Sequence, residues 1–334
     1  MEKILVTGAS GFAGGHFIHY LLSHHEGFEI HGVSRSVPAW DFVPSTEAFL
    51  RDHHFHRADL TDAAKVAGLV RKIQPDFILH LAAQSSVAES WRRPVLSFLD
   101  NATIFLNIID AVRLDDNAAR VLSVGSSEQY GSVAGNDLPL RETHHQCPAS
   151  PYAVARVAQE QLAGIYAEGY GLGICCTRSF NHCGPGQDER FVVSSLVKQS
   201  VLIEKGLQEP VIHIGNGAII RDFVDVRDVV RAYFLLLKGG KRGEVYNICS
   251  GTGRSVCDIV LQISDLTGIR AGIVSEDLRI RPSDNPRLIG DNEKIFHETG
   301  WAPEIPFEQT LEAMIDHWRQ RLDRELKTRR TEHT

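Results

Sequence analysis

Three glycines near the beginning of the chain have the spacing of a loop that can hold phosphate groups. They lie in TGASGFAG at residues 7–14, directly after an apolar stretch that predicts a strand. Glycine lets the backbone turn tightly and approach a pyrophosphate closely, and the N-terminus of a following helix offers unpaired N–H groups. Strand, loop and helix in this order predict a dinucleotide site. The loop residues that we expect to contact the dinucleotide are Gly8, Ser10, Gly11, Phe12, Ala13 and Gly14.

The end of the second predicted strand indicates which dinucleotide is bound. Sites that prefer NAD place an aspartate or glutamate there, where it bonds the 2′-hydroxyl of the ribose. This strand ends in VSRS, and an arginine with two hydroxyls suits a 2′-phosphate instead. We therefore predict that Arg35 binds NADP(H), with NAD(H) as the alternative cofactor.

Polar residues that follow later elements are placed to act on a substrate next to the dinucleotide. Ser126, Ser127 and Glu128 follow the fifth predicted strand, at the carboxyl edge where doubly wound enzymes carry out their chemistry. Tyr152 lies at the start of a predicted helix, and Arg156 lies one turn later on the same face. The permanent charge of Arg156 can favour the ionised phenol and bond ribose hydroxyls. These positions are the candidate catalytic residues.

The candidate loops require strands and helices that bring them to one edge of a sheet. Apolar strands are predicted near 3–7, 29–34, 55–60, 76–82, 119–125 and 172–179, separated by helices near 12–25, 62–73, 95–114 and from Pro151 onward. Strands without polar alternation, separated by helices of this length, predict a parallel sheet that is covered on both faces. The predicted fold is α/β, a Rossmann-type doubly wound parallel sheet with a smaller α/β substrate-binding lobe.

The pattern loosens after residue 180, where short strands such as VIHI and EVYNI mix with helices. This change divides the chain into two predicted lobes. They are the dinucleotide-binding domain at 1–180 with 219–243 returning to it, the substrate-binding lobe at 181–218 and 244–320, and a charged C-terminal tail at 321–334.

The glycine spacing resembles that of the short-chain dehydrogenase/reductase superfamily, and specifically its extended branch. Two further strings fit the pattern with which that branch lines the adenine and the nicotinamide ribose: Asp59-Leu60 and Leu81-Ala82-Ala83. In the superfamily, a serine or threonine after the fifth strand and a Y-x-x-x-K helix supply the proton transfer. The matching positions are Ser126, whose hydroxyl would hold the substrate oxygen, and Tyr152, which would exchange a proton with that oxygen.

This sequence departs from the superfamily at the third position of that set, where Arg156 stands in place of lysine. An arginine cannot pass a proton onward as an ammonium can. The resemblance therefore leaves two consequences open, a proton relay that runs through water and the ribose, or a reduced catalytic rate. It also leaves open a different class of protein, a non-catalytic sensor that binds the dinucleotide without turnover.

Residues 177–187 narrow the implied substrate to a GDP-sugar. The string TRSFNHCGPGQ resembles the R-x-F-N-H-x-G-P-G-Q of the GDP-4-dehydro-6-deoxy-D-mannose reductases, whereas GDP-mannose 4,6-dehydratases read S-P-R-R-G after the asparagine–histidine pair. Glu128 resembles the base with which nucleotide-sugar 4,6-dehydratases remove the C5 proton. Further matches to the reductases are the strings at 221–223, 225–228, 246–251, 281–284 and 300–301.

The resemblance implies a reductase that delivers hydride from NADPH to C4 of GDP-4-dehydro-6-deoxy-D-mannose. The product is GDP-D-rhamnose or its C4 epimer GDP-6-deoxy-D-talose, and a seven-carbon GDP-sugar stays open as a substrate. The alternative enzyme is a 4,6-dehydratase acting on GDP-mannose or a related GDP-sugar. The resemblance also implies a homodimer, formed through a four-helix bundle of the helices near 95–114 and 151–168.

The predicted contacts to the GDP-sugar come from both lobes. Arg221 and Arg281 suit a bidentate clamp on the pyrophosphate, because guanidinium groups match phosphate geometry. Lys198 is placed to meet the base, and the polar residues after the fourth strand are placed to touch the hexose. The full set of substrate contacts is Gln84, Ser85, Ser86, Ser127, Asn181, Val192, Lys198, Arg221 and Arg281.

The composition indicates a globular enzyme and excludes several other classes. The 334 residues are 43% hydrophobic and 23% charged, with a formal net charge of −7. This charge does not favour nucleic acid or an anionic membrane, which attract basic patches. No apolar stretch approaches the roughly eighteen residues of a membrane span, so no membrane contact is expected. The opening MEKILVTGAS predicts a strand rather than a leader, and six scattered cysteines suggest a reducing compartment, so we expect a cytoplasmic protein.

Sixteen histidines raise the question of a metal site. The sequence clusters are His24-His25, His53-His54-x-His56 and His144-His145. None has the i,i+4 helical spacing beside a carboxylate that zinc enzymes use. We therefore expect these histidines to lie in loops and at helix ends, with no metal bound.

Overall fold

The computed structural model describes residues 1–133, 137–276 and 285–332, with side chains as far as Thr328. The strands are β1 (Glu2–Thr7), β2 (Phe28–Ser34), β3 (His54–Arg57), β4 (Phe77–His80), β5 (Arg120–Val124), β6 (Gly173–Ser179), β7 (Asn181–Cys183), β8 (Val211–Ile214), β9 (Ile220–Asp225), β10 (Val245–Ile248), β11 (Gly253–Ser255), β12 (Gly272–Ser275) and β13 (Arg287–Leu288). The helices are α1 (Phe12–His24), α2 (Thr46–Asp52), α3 (Ala63–Ile73), α4 (Val87–Arg92), α5 (Pro94–Leu114), α6 (Pro151–Gly169), α7 (Val192–Glu204), α8 (Val226–Gly239), α9 (Val256–Thr267), α10 (Glu293–Thr299) and α11 (Phe307–Glu332). A 3-10 helix covers Ser127–Tyr130.

Seven parallel strands form the large sheet, in the order β10-β6-β5-β4-β1-β2-β3. The central strands are apolar at successive positions because helices cover both faces, and Ile4 and Leu5 are both fully buried. The strand order reverses between β1 and β4, so the loops that follow these strands separate at the carboxyl edge. Doubly wound folds bind ligands at this reversal. The Rossmann-type sheet predicted from the sequence is confirmed.

Each face of the large sheet has its own apolar core. One core joins α1 and α8 to the sheet and contains Phe17 and Tyr233, both without solvent exposure. The other joins α3, α5 and α6, and contains Phe105 and Ile108. Helices packed on both faces hold the strand ends at fixed positions, so the loops at the carboxyl edge have a rigid support.

The smaller lobe is built from short strands and three helices. Strands β11, β9 and β13 form one sheet with β7 added to β9, and β8 pairs with β12. Helices α7, α9 and α11 enclose a separate apolar core around Val197, Ile259 and Leu311. Helix α11 continues through the segment that the sequence assigned to a charged tail, as far as Glu332.

Strand β10 lies elsewhere than the sequence suggested. The sequence placed residues 244–320 in the smaller lobe, but β10 pairs with β6 in parallel and forms the edge of the large sheet, with Val245 opposite Cys176. Of the range 219–243 that was expected to return to the large sheet, α8 does so, whereas β9 pairs with strands of the smaller lobe. A short apolar strand fits either sheet locally, so only the tertiary pairing decides between them. The boundary between the lobes stays a prediction.

Helix α5 corrects one expectation. Within the described ranges, Pro94–Leu114 is long and apolar enough to cross a membrane, whereas no such stretch was expected from the sequence. Length and composition are the only support for a span, and the core helix of a soluble protein passes the same test. One side of α5 packs against α3 and α6 through residues such as Phe105 and Ile109, and the other side leaves Val95 and Leu99 exposed.

Candidate active site

In the loop between β1 and α1, close backbone contacts leave no room for a side chain at the glycine positions. Gly8 has a φ of +72°, and its amide donates to the carbonyl of Val33 at 2.9 Å. A Cβ on Gly14 would lie 2.5 Å from the carbonyl oxygen of Gly8. Gly11 caps α1 without a side-chain hydrogen bond, so the first amides of the helix keep their capacity for an anion. The loop therefore has the form of a phosphate cradle, as predicted.

The end of β2 lies beside this cradle. The amide of Ser10 donates to Ser34 Oγ at 3.0 Å, and the hydroxyls of Ser10 and Ser36 lie 3.2 Å apart. Arg35 is exposed between these serines, and its carbonyl accepts from Arg57 Nε at 3.0 Å. Three hydroxyls and a guanidinium at the mouth of the cradle can hold a phosphate on the adenosine ribose.

Asp59 is a nearby carboxylate that could accept a hydrogen bond from the ribose of NAD, but it already accepts hydrogen bonds from Thr61. Its Oδ1 accepts from the amide and the hydroxyl of Thr61, at 3.0 and 2.8 Å. These hydrogen bonds, together with the charge of Arg35, lower the pKa of Asp59. The adjacent Leu60 is buried, which suits its predicted place against the adenine.

The segment after β4 lines the other side of the cradle. The amides of Leu81 and Ala82 both donate to Thr7 Oγ1, at 3.1 and 3.0 Å, and Ala83 follows them at the same edge. His80 Nδ1 lies 3.1 Å from the same hydroxyl. Burial lowers the pKa of His80 to about 3, so this ring is neutral and serves as a structural partner.

Ser126 is held at the end of β5 by the short helix that follows it. Its Oγ accepts from the amide of Glu128 at 3.2 Å, and its own amide donates to Gln129 Oε1 at 2.8 Å. Ser127 is buried next to it, and Glu128 is partly exposed. This capping box fixes the serine backbone at the end of β5, on the carboxyl edge of the sheet.

A buried ion pair ties this turn to α6 and β6. Gln129 Nε2 donates to Glu160 Oε2 at 2.7 Å, and Arg178 donates to both oxygens of Glu160 at 2.8 and 3.0 Å. Glu160 and Arg178 are 9% and 5% exposed. Sequence reasoning missed these three residues, although the S-x-x-Q spacing from Ser126 to Gln129 is the signal of a capping box.

Tyr152 and Arg156 lie on the same face of α6, as predicted. Ser150 caps the helix by accepting from the amide of Ala153 at 3.1 Å, and Tyr152 follows in the first turn with 6% exposure. The guanidinium carbon of Arg156 lies 5.1 Å from the centroid of the Tyr152 ring. A cation at this distance interacts favourably with the electrons of the ring.

Gln159 holds the guanidinium of Arg156 through a hydrogen bond, and the sequence analysis did not indicate this role. Arg156 Nη1 donates to Gln159 Oε1 at 2.7 Å and to the carbonyl of Val124 at 3.1 Å. Gln159 Nε2 donates to Ser123 Oγ at 2.7 Å, and the side chain is 1% exposed. The signal that could have found it is a buried amide three residues after a buried arginine on one helix face.

A bound dinucleotide would accept hydrogen bonds from donors of Arg156 and of the start of α1. Arg156 Nε is buried and has no hydrogen-bond partner within the described part of the chain. A ribose hydroxyl beside α6 would accept from it, and a pyrophosphate would accept from the amides at the start of α1. The donors and the glycine cradle therefore fit a dinucleotide cofactor.

The predicted substrate contacts divide into two groups. Near β4, Gln84 is engaged with α5, because its amide donates to Asn101 Oδ1 at 2.8 Å and its Oε1 accepts from Ser97 Oγ at 3.1 Å. Ser86 caps α4 through the amide of Glu89, and Ser85 is exposed beside it. Ser85 is therefore the residue of this segment best placed for a substrate contact.

The second group lies on the smaller lobe. Asn181 pairs with Phe223, two residues after Arg221, so the amide and the guanidinium lie on neighbouring strands. Arg221 Nη1 donates to the carbonyls of Ile220 and Asn285, at 3.0 and 2.6 Å. These two hydrogen bonds fix the orientation of the guanidinium through its Nη1 atom. Arg281 lies outside the described residues.

Two predicted contacts on α7 stand apart from the cradle. Val192 begins the helix and is exposed. Lys198 is paired with Glu189, and its ammonium lies 5.4 Å from the centroid of the Trp318 ring. The lysine that was expected to meet the base is therefore already held by this chain, so a role in binding requires it to leave Glu189.

Comparisons with known proteins agree with this architecture. The sequence profile of the GDP-mannose 4,6 dehydratase family matches residues 5–314. The GDP-6-deoxy-D-mannose reductase of Pseudomonas aeruginosa is 32% identical over 97% of this chain and 99% of its own length. A GDP-mannose 4,6-dehydratase of Yersinia enterocolitica is 30% identical over 94% of this chain and 93% of its own length.

Solved structures of related enzymes have the same fold along nearly the whole chain. The structure of RMD from Pseudomonas aeruginosa complexed with NADPH has a TM-score of 0.84 and 32% identity, covering 96% of this chain and 100% of that chain. A UDP-glucose 4-epimerase of Thermotoga maritima has a TM-score of 0.85 and 28% identity, covering 96% and 99%. This chain belongs to the GDP-mannose 4,6 dehydratase family and is a nucleotide-sugar oxidoreductase of the extended short-chain dehydrogenase/reductase type.

Proposed function

We propose that this protein uses NADPH to reduce the C4 ketone of GDP-4-dehydro-6-deoxy-D-mannose. The product is GDP-D-rhamnose or GDP-6-deoxy-D-talose, according to the face of the ketone that receives the hydride. The likeness to the Pseudomonas aeruginosa reductase and to the structure titled as its NADPH complex supports this proposal. So does the retention of G-P-G-Q at residues 184–187, where dehydratases of the family have another string.

The observation that carries the proposal is the pairing of Tyr152 with a buried, well-held guanidinium beside a dinucleotide cradle. The cofactor supplies a hydride to C4. Tyr152 gives its phenolic proton to the oxygen on C4 as negative charge develops there, and Ser126 Oγ donates a hydrogen bond to the same oxygen. Arg156 stabilises the phenolate that remains, which regains its proton from water. The ketone gains two electrons and two hydrogens in total, and the oxidised cofactor leaves after each turnover.

The choice of NADPH over NADH is supported by the residues around Arg35. A 2′-phosphate would meet Arg35 and the hydroxyls of Ser10 and Ser36, while Asp59 is occupied by Thr61. An NAD ribose would find no carboxylate in the position that it normally bonds at the end of β2. NAD(H) is the weaker alternative.

For the GDP moiety we propose Arg221 and Asn181 as contacts to the diphosphate, with Arg281 as the second arm of the clamp. Arg221 and Asn181 lie on adjacent strands at the same side of the smaller lobe. Ser85 is proposed to contact a hexose hydroxyl, since it is exposed beyond β4. These assignments place the sugar between the cradle and the smaller lobe.

We also propose that two copies associate through α5 and α6 as a cytoplasmic homodimer. Val95, Leu96 and Leu99 on α5, and Val154 and Ile165 on α6, leave between 43% and 70% of their surface exposed. These helices pack side by side, and both carry exposed apolar side chains. Two such faces brought together make a four-helix bundle.

The second candidate function is GDP-mannose 4,6-dehydratase. Glu128 favours it, because this carboxylate follows the serine by two residues and its backbone is fixed by the capping box, as a base for the C5 proton would need. The relative from Yersinia enterocolitica is almost as similar as the reductase. A third candidate, a sensor without turnover, is suggested by Arg156 in place of lysine.

The direct test is incubation with GDP-4-dehydro-6-deoxy-D-mannose and NADPH, followed by NMR of the product. We expect a 6-deoxy-hexose with a C4 proton, and the coupling constants of this proton distinguish rhamnose from talose. A sensor leaves the ketone unchanged while still binding NADPH. Formation of a seven-carbon product from the matching heptose at a higher kcat/KM would replace the hexose in the proposal.

A further inference from the structure

Three side chains at the β3 edge of the large sheet converge on one point, away from the dinucleotide cradle. His31 on β2 is paired with His54 on β3, and Glu29 precedes His31 by two residues on the same face. Glu29 Oε1 lies 2.8 Å from His31 Nε2 and 3.5 Å from His54 Nε2. All three donor atoms lie within 4.8 Å of one another.

These separations match the spacing of ligands around a small ion. Zinc bonds to nitrogen and oxygen are about 2.0–2.1 Å long, which places tetrahedral ligand atoms about 3.3 Å apart. The two measured distances, 2.8 and 3.5 Å, lie on either side of this value. Two imidazoles and one carboxylate suit Zn²⁺, Cu²⁺ or Ni²⁺ better than Ca²⁺ or Mg²⁺, and a water molecule can take the fourth position.

The buried ring of His31 is held in the orientation that a ligand needs. Its Nδ1 lies 3.0 Å from His56 Nε2, and the two rings are nearly parallel. Histidines that bind metals are usually oriented by a second hydrogen bond on their other nitrogen. The contact with His56 on one nitrogen leaves the other nitrogen of His31 directed towards Glu29.

The charges around the cluster limit the affinity. Lys3 lies opposite Glu29 in the sheet and is tied by its ammonium to the carbonyl of Ile73 at 3.0 Å, and Lys72 acts on His56. The positive charges of the two lysines outweigh the single negative charge of Glu29, which opposes a purely electrostatic cation site. The nitrogen ligands must therefore supply the selectivity, which again favours transition metals.

We propose that Glu29, His31 and His54 bind one divalent transition-metal ion, with Zn²⁺ as the best fit, and that this ion joins β3 to β2. When the ion binds His31 Nε2, the single ring proton lies on Nδ1, where it can be donated to His56 Nε2. Strand β2 ends at Ser34, next to Arg35, so the ion would also stiffen the strand that carries the 2′-phosphate contact. The sequence did not indicate this site, because the proposed ligands come together from two neighbouring strands rather than from one helix.

The test is titration of the full chain, first freed of metal with EDTA, with ZnCl₂ in a calorimeter. We expect one equivalent of Zn²⁺ to bind and the thermal unfolding midpoint to rise by several degrees. His54→Ala and Glu29→Gln should each weaken binding about tenfold or more. His54 is exposed, so its loss should leave the far-ultraviolet circular dichroism unchanged.

His297→Ala is the matched control, because it removes an exposed histidine on α10 outside the cluster. The His297→Ala variant should bind Zn²⁺ with the affinity of the wild type. Absence of Zn²⁺ binding at 100-fold excess, or binding that His54→Ala and Glu29→Gln leave unchanged, overturns the proposal. None of these measurements uses a GDP-sugar, so their outcome is independent of the proposed reaction.

Discussion

The guanidinium of Arg156 occupies the position that the wider superfamily gives to a lysine, and its neighbours explain how it is held there. Gln159 accepts one of its hydrogen bonds and is itself fixed by Ser123. The arginine therefore presents its remaining surface to Tyr152 and to the cofactor cleft. At the residue scale, we propose that Gln159 joins the three side chains of the family pattern in the proton-transfer site.

Tyr152→Phe tests the proton donor. The change removes only the hydroxyl, so we expect kcat to fall by about 10²–10⁴-fold, the usual contribution of a positioned acid. Cofactor affinity, measured by fluorescence titration with NADPH, should change little. Tyr166→Phe, on the same helix but paired with Asp110, is the matched control and should keep its kcat. A Tyr152→Phe enzyme that retains most of its activity would mean that another group is the acid.

Gln159→Leu tests the positioning of Arg156. The lost hydrogen bond involves a charged group, so we expect kcat to fall by about tenfold, with KM for the GDP-sugar little changed. The thermal unfolding midpoint is measured beside the rate, and it should change little. Gln159→Glu keeps the acceptor and should restore most of the rate. Exposed Gln161→Leu is the control, and a purely structural role would lower stability together with the rate.

Arg35→Asp tests the cofactor preference. The wild type should use NADPH with a higher kcat/KM than NADH, and the change should narrow this ratio by about tenfold or reverse it, because a carboxylate repels the 2′-phosphate and bonds a 2′-hydroxyl. The initial rates with both cofactors give the ratio directly. If the ratio stays the same, Arg35 does not contact the 2′-phosphate.

At the scale of elements, the arrangement follows from the ends of strands. The loops after β1, β2, β4 and β5 lie at one edge of the sheet, so residues far apart in the chain form one cleft. Helices α5 and α6 add a second feature, a face of apolar side chains that the chain itself leaves uncovered.

Leu99→Arg tests whether a second copy covers this face. Leu99 is 53% exposed, so an arginine there should fold normally but place a charge in the centre of a helical bundle. We expect a dimer in the wild type and a monomer in the variant, measured by sedimentation velocity. Leu261→Arg changes a similarly exposed leucine, 59% exposed, on α9 of the smaller lobe and should stay a dimer. A wild-type monomer, or a dimer that Leu99→Arg leaves intact, would contradict the proposed interface.

Much of this architecture could be predicted from the sequence because local signals agree with the fold. The helix that begins at Pro151 was expected from the proline, and the strand at 211–214 has the bounds that were expected. What could not be predicted depends on tertiary contacts. The place of β10 in the large sheet, the hydrogen bond from Gln159 to Ser123 and the approach of His31 to His54 all need the pairing of distant segments.

At the scale of the whole molecule, the proposed reaction is defined by what happens to the hydride. The proposed site residues suit two reactions, because a reductase and a dehydratase would both use Ser126 and Tyr152. A reductase accepts one hydride and one proton and exchanges its cofactor at each turnover. A dehydratase oxidises C4, removes the C5 proton through Glu128, expels the C6 hydroxyl and returns the same hydride, so it consumes no NADPH.

The most direct test of the reductase is therefore the stoichiometry of NADPH. With GDP-4-dehydro-6-deoxy-D-mannose, we expect one NADPH to be consumed for each ketone reduced, and GDP-mannose alone should give no 4-keto product. Glu128→Gln should lower this activity less than Tyr152→Phe does, because no C5 proton is removed. Conversion of GDP-mannose to the 4-keto sugar without added NADPH, abolished by Glu128→Gln, would contradict the account and identify the protein as the dehydratase.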